Sequence, residues 1–266
     1  LLYSGAFSPA PGIIFASSEG ELESVSKRFA SNLLPLPRPK VRRACVASRE
    51  VNSASEKYDL VADQNSSFGD VCDIYSADVG FLSMDGHSDG LHISAPGGTM
   101  LCPMSAGIKT VSRLQPHCFE QKCCTKYRHL PSLENAWSSN RLIDVERINA
   151  RVVFYDSCFA FRVADNIVSP GYSLSCSLAE RSNVHAVIGS WQITLGDPSV
   201  SQFIAAGLEA GEGIGWVISR FNRQEEVARH GRVLALLGDP AYRLHDAQPP
   251  PHGIQFDNKE FDEPGR

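Results

Sequence analysis

The 266 residues carry 30 acidic against 25 basic side chains, a formal charge of −5, with 42% hydrophobic and 21% charged residues. A chain of this length buries a sizeable core without disulfides. Its acidic balance argues against a nucleic-acid binder, and no apolar run approaches the roughly 18 residues of a membrane span. The start, Leu1-Leu2-Tyr3-Ser4-Gly5, has no basic stretch ahead of an apolar one and no Met. No secretion signal is therefore legible, and the sequence reads as a fragment or a processed form. The eight cysteines, Cys45, Cys72, Cys102, Cys118, Cys123, Cys124, Cys158 and Cys176, lack the dense spacing of a secreted scaffold. That pattern points to a reducing, cytoplasmic setting.

Short apolar runs alternate with amphipathic stretches, as in an α/β sandwich whose strands are buried on both faces. Gly12–Ala16 reads as the first strand. Glu19–Leu34 follows as a helix, with Leu22, Val25, Phe29 and Leu33 at helical spacing and Pro35, Pro37 and Pro39 to end it. Val41–Ala47 and Val79–Met84 are further strands. From Leu91 to Asn149 the periodicity fades and Pro, Gly, Ser and Cys are frequent, which reads as an irregular insertion between two central strands. Val152–Tyr155 and Ala186–Gly189 complete the strands, and Val200–Ala210 and Ile214–Arg229 read as helices. Between those helices, Gly211-Glu212-Gly213-Ile214-Gly215 lacks both the Lys-Ser/Thr and the preceding strand of a phosphate loop, so it is a helix junction. From Ala247 onward, Pro249, Pro250 and Pro251 lead into Asp257, Glu260, Asp262 and Glu263, an extended acidic segment. The reading is thus one domain over 1–246, with 91–149 inserted and 247–266 as a tail.

Two apolar strands deliver reactive side chains at their carboxyl ends. Val79-Gly80-Phe81-Leu82-Ser83-Met84 leads to Asp85-Gly86-His87-Ser88, and Arg151-Val152-Val153-Phe154-Tyr155 leads to Asp156-Ser157-Cys158. Chemistry in open parallel sheets gathers beyond the carboxyl ends of the strands, so neighbouring strands would set His87 beside Cys158. An imidazole next to a thiol favours the thiolate and can protonate a departing amine, while backbone N–H groups among small residues can hold an oxyanion. Gly86, Ser88 and Cys158 stand where such donors are expected.

These blocks resemble the clan CD cysteine peptidases, and within them the CHAT proteins related to caspases, separase and gingipains. In that family an apolar block ends in His-Gly, and a second ends in an acidic or amide residue, a small residue and Cys. The resemblance continues through Val184-His185-Ala186-Val187-Ile188-Gly189-Ser190-Trp191, like the strand that ends in a tryptophan beside the substrate groove, and closes on Leu237-Gly238-Asp239-Pro240. Ser88 and Ala160 depart from the family's glycines. The resemblance implies a caspase-like three-layer α/β/α sandwich with a mostly parallel central sheet and an endopeptidase using Cys158 and His87. It requires no cofactor and no metal. It also implies regulated proteolysis of protein substrates inside bacterial cells, with an activating partner or further domains, and neither nucleic acid nor membrane as a partner. The family's residue two before the cysteine shapes the primary specificity pocket. Here that is Asp156, which implies a basic residue before the cleaved bond, with Trp191 and Asp197 as further pocket residues.

Three other readings stay open at this level. Gly86-His87-Ser88-Asp89-Gly90 is a literal G-x-S-x-G, which would make Ser88 the nucleophile of an α/β-hydrolase. Cys102, His117, Cys118, Cys123 and Cys124 cluster in the insertion and could hold zinc, although the C-x2-C spacing is missing. The domain could also be an inactive, CHAT-like binding or scaffold module.

Overall fold

A computed structural model describes residues 12–13, 23, 26–27, 37–51, 57–88, 90–103, 142–161, 173–193, 196–223 and 233–244. Ten strands are present among them: β1 (Gly12–Ile13), β2 (Val41–Ala47), β3 (Leu60–Ala62), β4 (Val79–Asp85), β5 (Ile93–Ala95), β6 (Thr99–Cys102), β7 (Leu142–Asp144), β8 (Ala150–Asp156), β9 (Ala186–Ser190) and β10 (Leu234–Gly238). The α-helices are α1 (Phe68–Ser76), α2 (Leu174–Arg181), α3 (Pro198–Glu209) and α4 (Ile214–Arg223).

Seven strands form one sheet in the order β1-β10-β9-β8-β4-β2-β3. The five from β9 to β3 run parallel, while β10 is antiparallel to β9 and carries β1 parallel to itself at the edge. The central strands are apolar throughout because both faces are covered. Alternate residues of β4 and β8 divide between two cores. Leu82, Met84, Val153 and Tyr155 pack with Val71 and Ile74 of α1 and Leu174 and Leu178 of α2. Phe81, Val152 and Phe154 pack with Ile204 and Leu208 of α3 and Val217 and Ile218 of α4. The result is a three-layer α/β/α sandwich. Leu82 is fully enclosed, so Leu82→Ala should lower unfolding stability by about 2–5 kcal/mol in a urea titration.

The helices start and stop where local chemistry dictates. Ser67 caps α1 by accepting from the Asp70 N–H while the Asp70 side chain accepts from the Ser67 N–H, a reciprocal capping box. Asp197 caps α3 by accepting from the Ser199 N–H at 2.8 Å, and Pro198 occupies the first helical position. The glycine-rich stretch after α3 is the turn into α4, with Gly211 at φ +77, so the expected helix junction is present.

The segment expected to be irregular differs at both of its ends. There β5, β6 and β7 form a separate three-stranded sheet, and Ile93, Ala95, Leu101, Ile143, Val145 and Ile148 join the first core. Each strand is only three or four residues long, too short to leave a period in the sequence. Of the helix expected over Glu19–Leu34, only Glu23, Ser26 and Lys27 are described, and they are helical. The acidic tail and positions 104–141 lie outside the described residues. Among the described residues, no helix is long and apolar enough to cross a membrane.

Candidate active site

The strands carrying the two candidate catalytic residues are neighbours. β4 and β8 pair in parallel with Asp85 opposite Asp156, and each chain then runs two residues further, to His87 and to Cys158. The Ser157 hydroxyl donates to the Gly86 carbonyl, tying the residue before Cys158 to the residue before His87. His87 is exposed and Cys158 half-buried, so both are reachable at the carboxyl edge of the sheet, where the open ends of parallel strands leave room for a ligand.

The His87 loop is held closely. A Cβ on Gly86 would lie 2.3 Å from the Ser94 carbonyl oxygen, a contact that only glycine avoids. The Ser94 N–H donates to the His87 carbonyl at 3.0 Å, and Ser88 forms a bridge with Ile93. The buried Tyr155 hydroxyl donates to the His92 carbonyl at 3.1 Å and is also bonded to the Ser88 hydroxyl, which accepts from the Gly90 N–H at 2.9 Å. Because the tyrosine proton goes to His92, Ser88 is the donor to Tyr155. The Ser88 side chain is therefore a tie that shapes the loop. The strand β5 follows it where a nucleophile elbow needs a helix, and this removes the serine-hydrolase reading. Gly86→Ala should lower any activity of the site at least about tenfold, because backbone must move to relieve the contact. Ser88→Ala should cost about 0.5–1.5 kcal/mol in thermal or denaturant unfolding and less than tenfold in activity.

Past Cys158 the chain turns sharply. Phe159 has φ +52, a left-handed conformation that bulky residues rarely adopt. Two backbone bonds hold it there, from Phe159 N–H to the Gln192 carbonyl at 3.1 Å and from Phe161 N–H to the Ser190 carbonyl at 3.2 Å. Trp191 packs its ring 5.5 Å from that of Phe161 and is itself exposed, as are Phe159 and Ile193.

On the α3 side of the same edge lies a cavity of about 420 Å³, lined by residues that include Cys45, Arg49, Tyr58, Asp85, Asp156 and Asp197. Asp156 is 2% exposed, and its Oδ2 accepts from the Asp197 N–H at 3.0 Å. The structure thus brings Asp156 and Asp197 together through that N–H to carboxylate bond, while Trp191, His87 and Cys158 do not line this cavity. Asp85 and Arg49 were not singled out from the sequence, yet Asp85 stands two residues before His87 just as Asp156 stands two before Cys158. That symmetry was the available signal. Cys102, of the cysteine cluster, is buried on β6 with Asp144 as its register partner, and His117, Cys118, Cys123 and Cys124 lie outside the described residues.

Over 87% of its length the chain matches the crystal structure of the Arg-specific cysteine proteinase gingipain R, with a TM-score of 0.50 and 9% sequence identity. The fold is caspase-like. A second match, to a structure described as a protease, covers 85% of this chain at a TM-score of 0.48 and 10% identity. The chain spans 54% of each of these two solved chains, about half their length. No protein-family model and no curated protein matches it. The likeness is one of fold: a mainly parallel central sheet with β4 and β8 side by side at its centre.

Proposed function

We propose that the chain is a cysteine endopeptidase in which Cys158 and His87 form the catalytic pair. The observation that carries this reading is the Ser157 to Gly86 hydrogen bond across two strands in register, which puts the next residue of each chain at the same edge. In this mechanism the Cys158 thiolate adds to the scissile carbonyl, and backbone N–H groups around Gly86, Ser88 and Cys158 receive the oxyanion. The carbon–nitrogen bond then breaks as His87 gives its proton to the leaving amine. Water, deprotonated by His87, hydrolyses the remaining thioester to a carboxylic acid and returns the thiol. The acidic cavity, walled by the aspartates two residues before His87 and Cys158, suits a basic side chain before the cleaved bond, with Asp156 as a carboxylate of its wall. The likeness to a caspase-like structure supports a protein substrate, and the resemblance to CHAT proteins supports regulated intracellular proteolysis.

The described cysteines differ in a way that tests the nucleophile. Burial pushes the Cys45 and Cys176 thiols up to about 12, so at pH 8 both remain protonated and unreactive. Cys72 is half-buried like Cys158 and is the control for access. Iodoacetamide at that pH, followed by peptide mapping, should modify Cys158 well ahead of Cys72 as well as of Cys45 and Cys176. Labelling of Cys158 no faster than of Cys72 would mark an inert scaffold and overturn the reading.

A further inference from the structure

Two carboxylates stand side by side in the wall of the acidic cavity. Asp85 and Asp156 are register partners on adjacent parallel strands, so their backbones are about 4.8 Å apart. Their side chains point to the same face, and like charges that close favour a resident cation. Among the described residues two cations line the cavity, Arg49 and Lys57, and Lys57 donates to Gln202 Oε1 at 2.5 Å, while Arg49 takes the carboxylate. Arg49, two residues past the end of β2, places its Nη2 2.5 Å from Asp85 Oδ2, with side-chain exposures of 45% and 17% respectively. Residue 196 is glycine where the chain passes this carboxylate, since a Cβ there would lie 2.5 Å from Asp85 Oδ1. The thiol of Cys45 in the same wall registers the field: burial raises it first, the Asp85 charge adds, Arg49 opposes and Asp156 adds again.

We propose that Arg49 holds the resting cavity as an internal counterpart of the substrate's basic side chain, and that Asp85 is the carboxylate for which the two compete. This rests on the peptidase reading above. A guanidinium from outside can replace the Arg49 guanidinium bond for bond on Asp85. An ion pair as exposed as this one is weak, so its displacement lowers apparent affinity about two- to fivefold and leaves the site usable. The contact therefore screens against cations that cannot match a guanidinium.

The test is calorimetric titration of the full chain, carrying Cys158→Ala to prevent turnover, with butylguanidine as the probe. Arg49→Ala and Arg49→Gln should each bind butylguanidine two- to fivefold more tightly than the parent, and Asp85→Asn should erase that difference. Unchanged or weaker binding, a difference that persists with Asp85→Asn, or no binding to any form would overturn the proposal. A parallel arm with Cys158 intact measures KM for peptides carrying Arg before the cleaved bond, which Arg49→Ala should lower by the same factor. If butylguanidine behaves as expected and no form cleaves any peptide, the peptidase reading falls and the Arg49 contact stands. If Arg peptides are cleaved while affinity and KM ignore Arg49→Ala, the contact falls and the peptidase stands.

Discussion

Cys158→Ala and His87→Ala are each expected to lower kcat/KM for a cleaved peptide on the order of 10⁴-fold or more, and the double variant is expected to be no worse than either. In the proposed mechanism the two act as one unit: without the thiolate no acyl-enzyme forms, and without the imidazole the leaving amine has no proton donor. Both side chains lie at the carboxyl edge, one exposed and one half-buried, so neither substitution removes core packing and circular dichroism should show an unchanged fold. Additive losses, or full activity in Cys158→Ala, would be incompatible with a Cys–His peptidase.

Asp156→Asn is expected to lower kcat/KM about tenfold to a hundredfold for peptides with Arg or Lys before the cleaved bond, and to leave apolar peptides nearly unaffected. The choice of Asn matters because Asp156 has two tasks in the structure: it faces the cavity, and its Oδ2 accepts the Asp197 N–H at the start of α3. Asn keeps an oxygen for that N–H and removes the charge, so stability should change little while selectivity changes. A peptide library assayed on both forms gives the result directly. A preference for acidic or apolar residues, indifferent to the substitution, would reduce Asp156 to a helix-start tie.

The parts of this protein legible in one dimension are those whose physics is local. β2, β4, β8 and β9 are legible to within two residues of their ends because strands covered on both faces must be apolar throughout, and α3 and the start of α4 because one buried stripe recurs at helical spacing. The positions of His87 and Cys158 are legible for the same reason, each standing two residues beyond the end of such a strand. Other elements carried weaker signals. β3 has three residues, α1 is marked in the sequence chiefly by the capping box of Ser67 and Asp70, and α2 buries Ser175 and Ser177 along with its leucines, which blurs any amphipathic stripe. β10, Leu234–Gly238, is a plain apolar run, but its antiparallel direction depends on its pairing with β9.

What the tertiary structure decided is which ends meet. The apolar blocks by themselves determined that a histidine and a cysteine would emerge from buried strands. Only the pairing of β4 with β8 brought both to one edge of the sheet, and only the β2–β4–β8 register gathered Arg49, Asp85 and Asp156 around one cavity. The loop ties made by Ser88, Tyr155 and His92 span up to 67 positions. Local sequence records what each residue prefers, whereas a hydrogen bond or an ion pair between distant residues depends on strand order and register, which long-range packing selects.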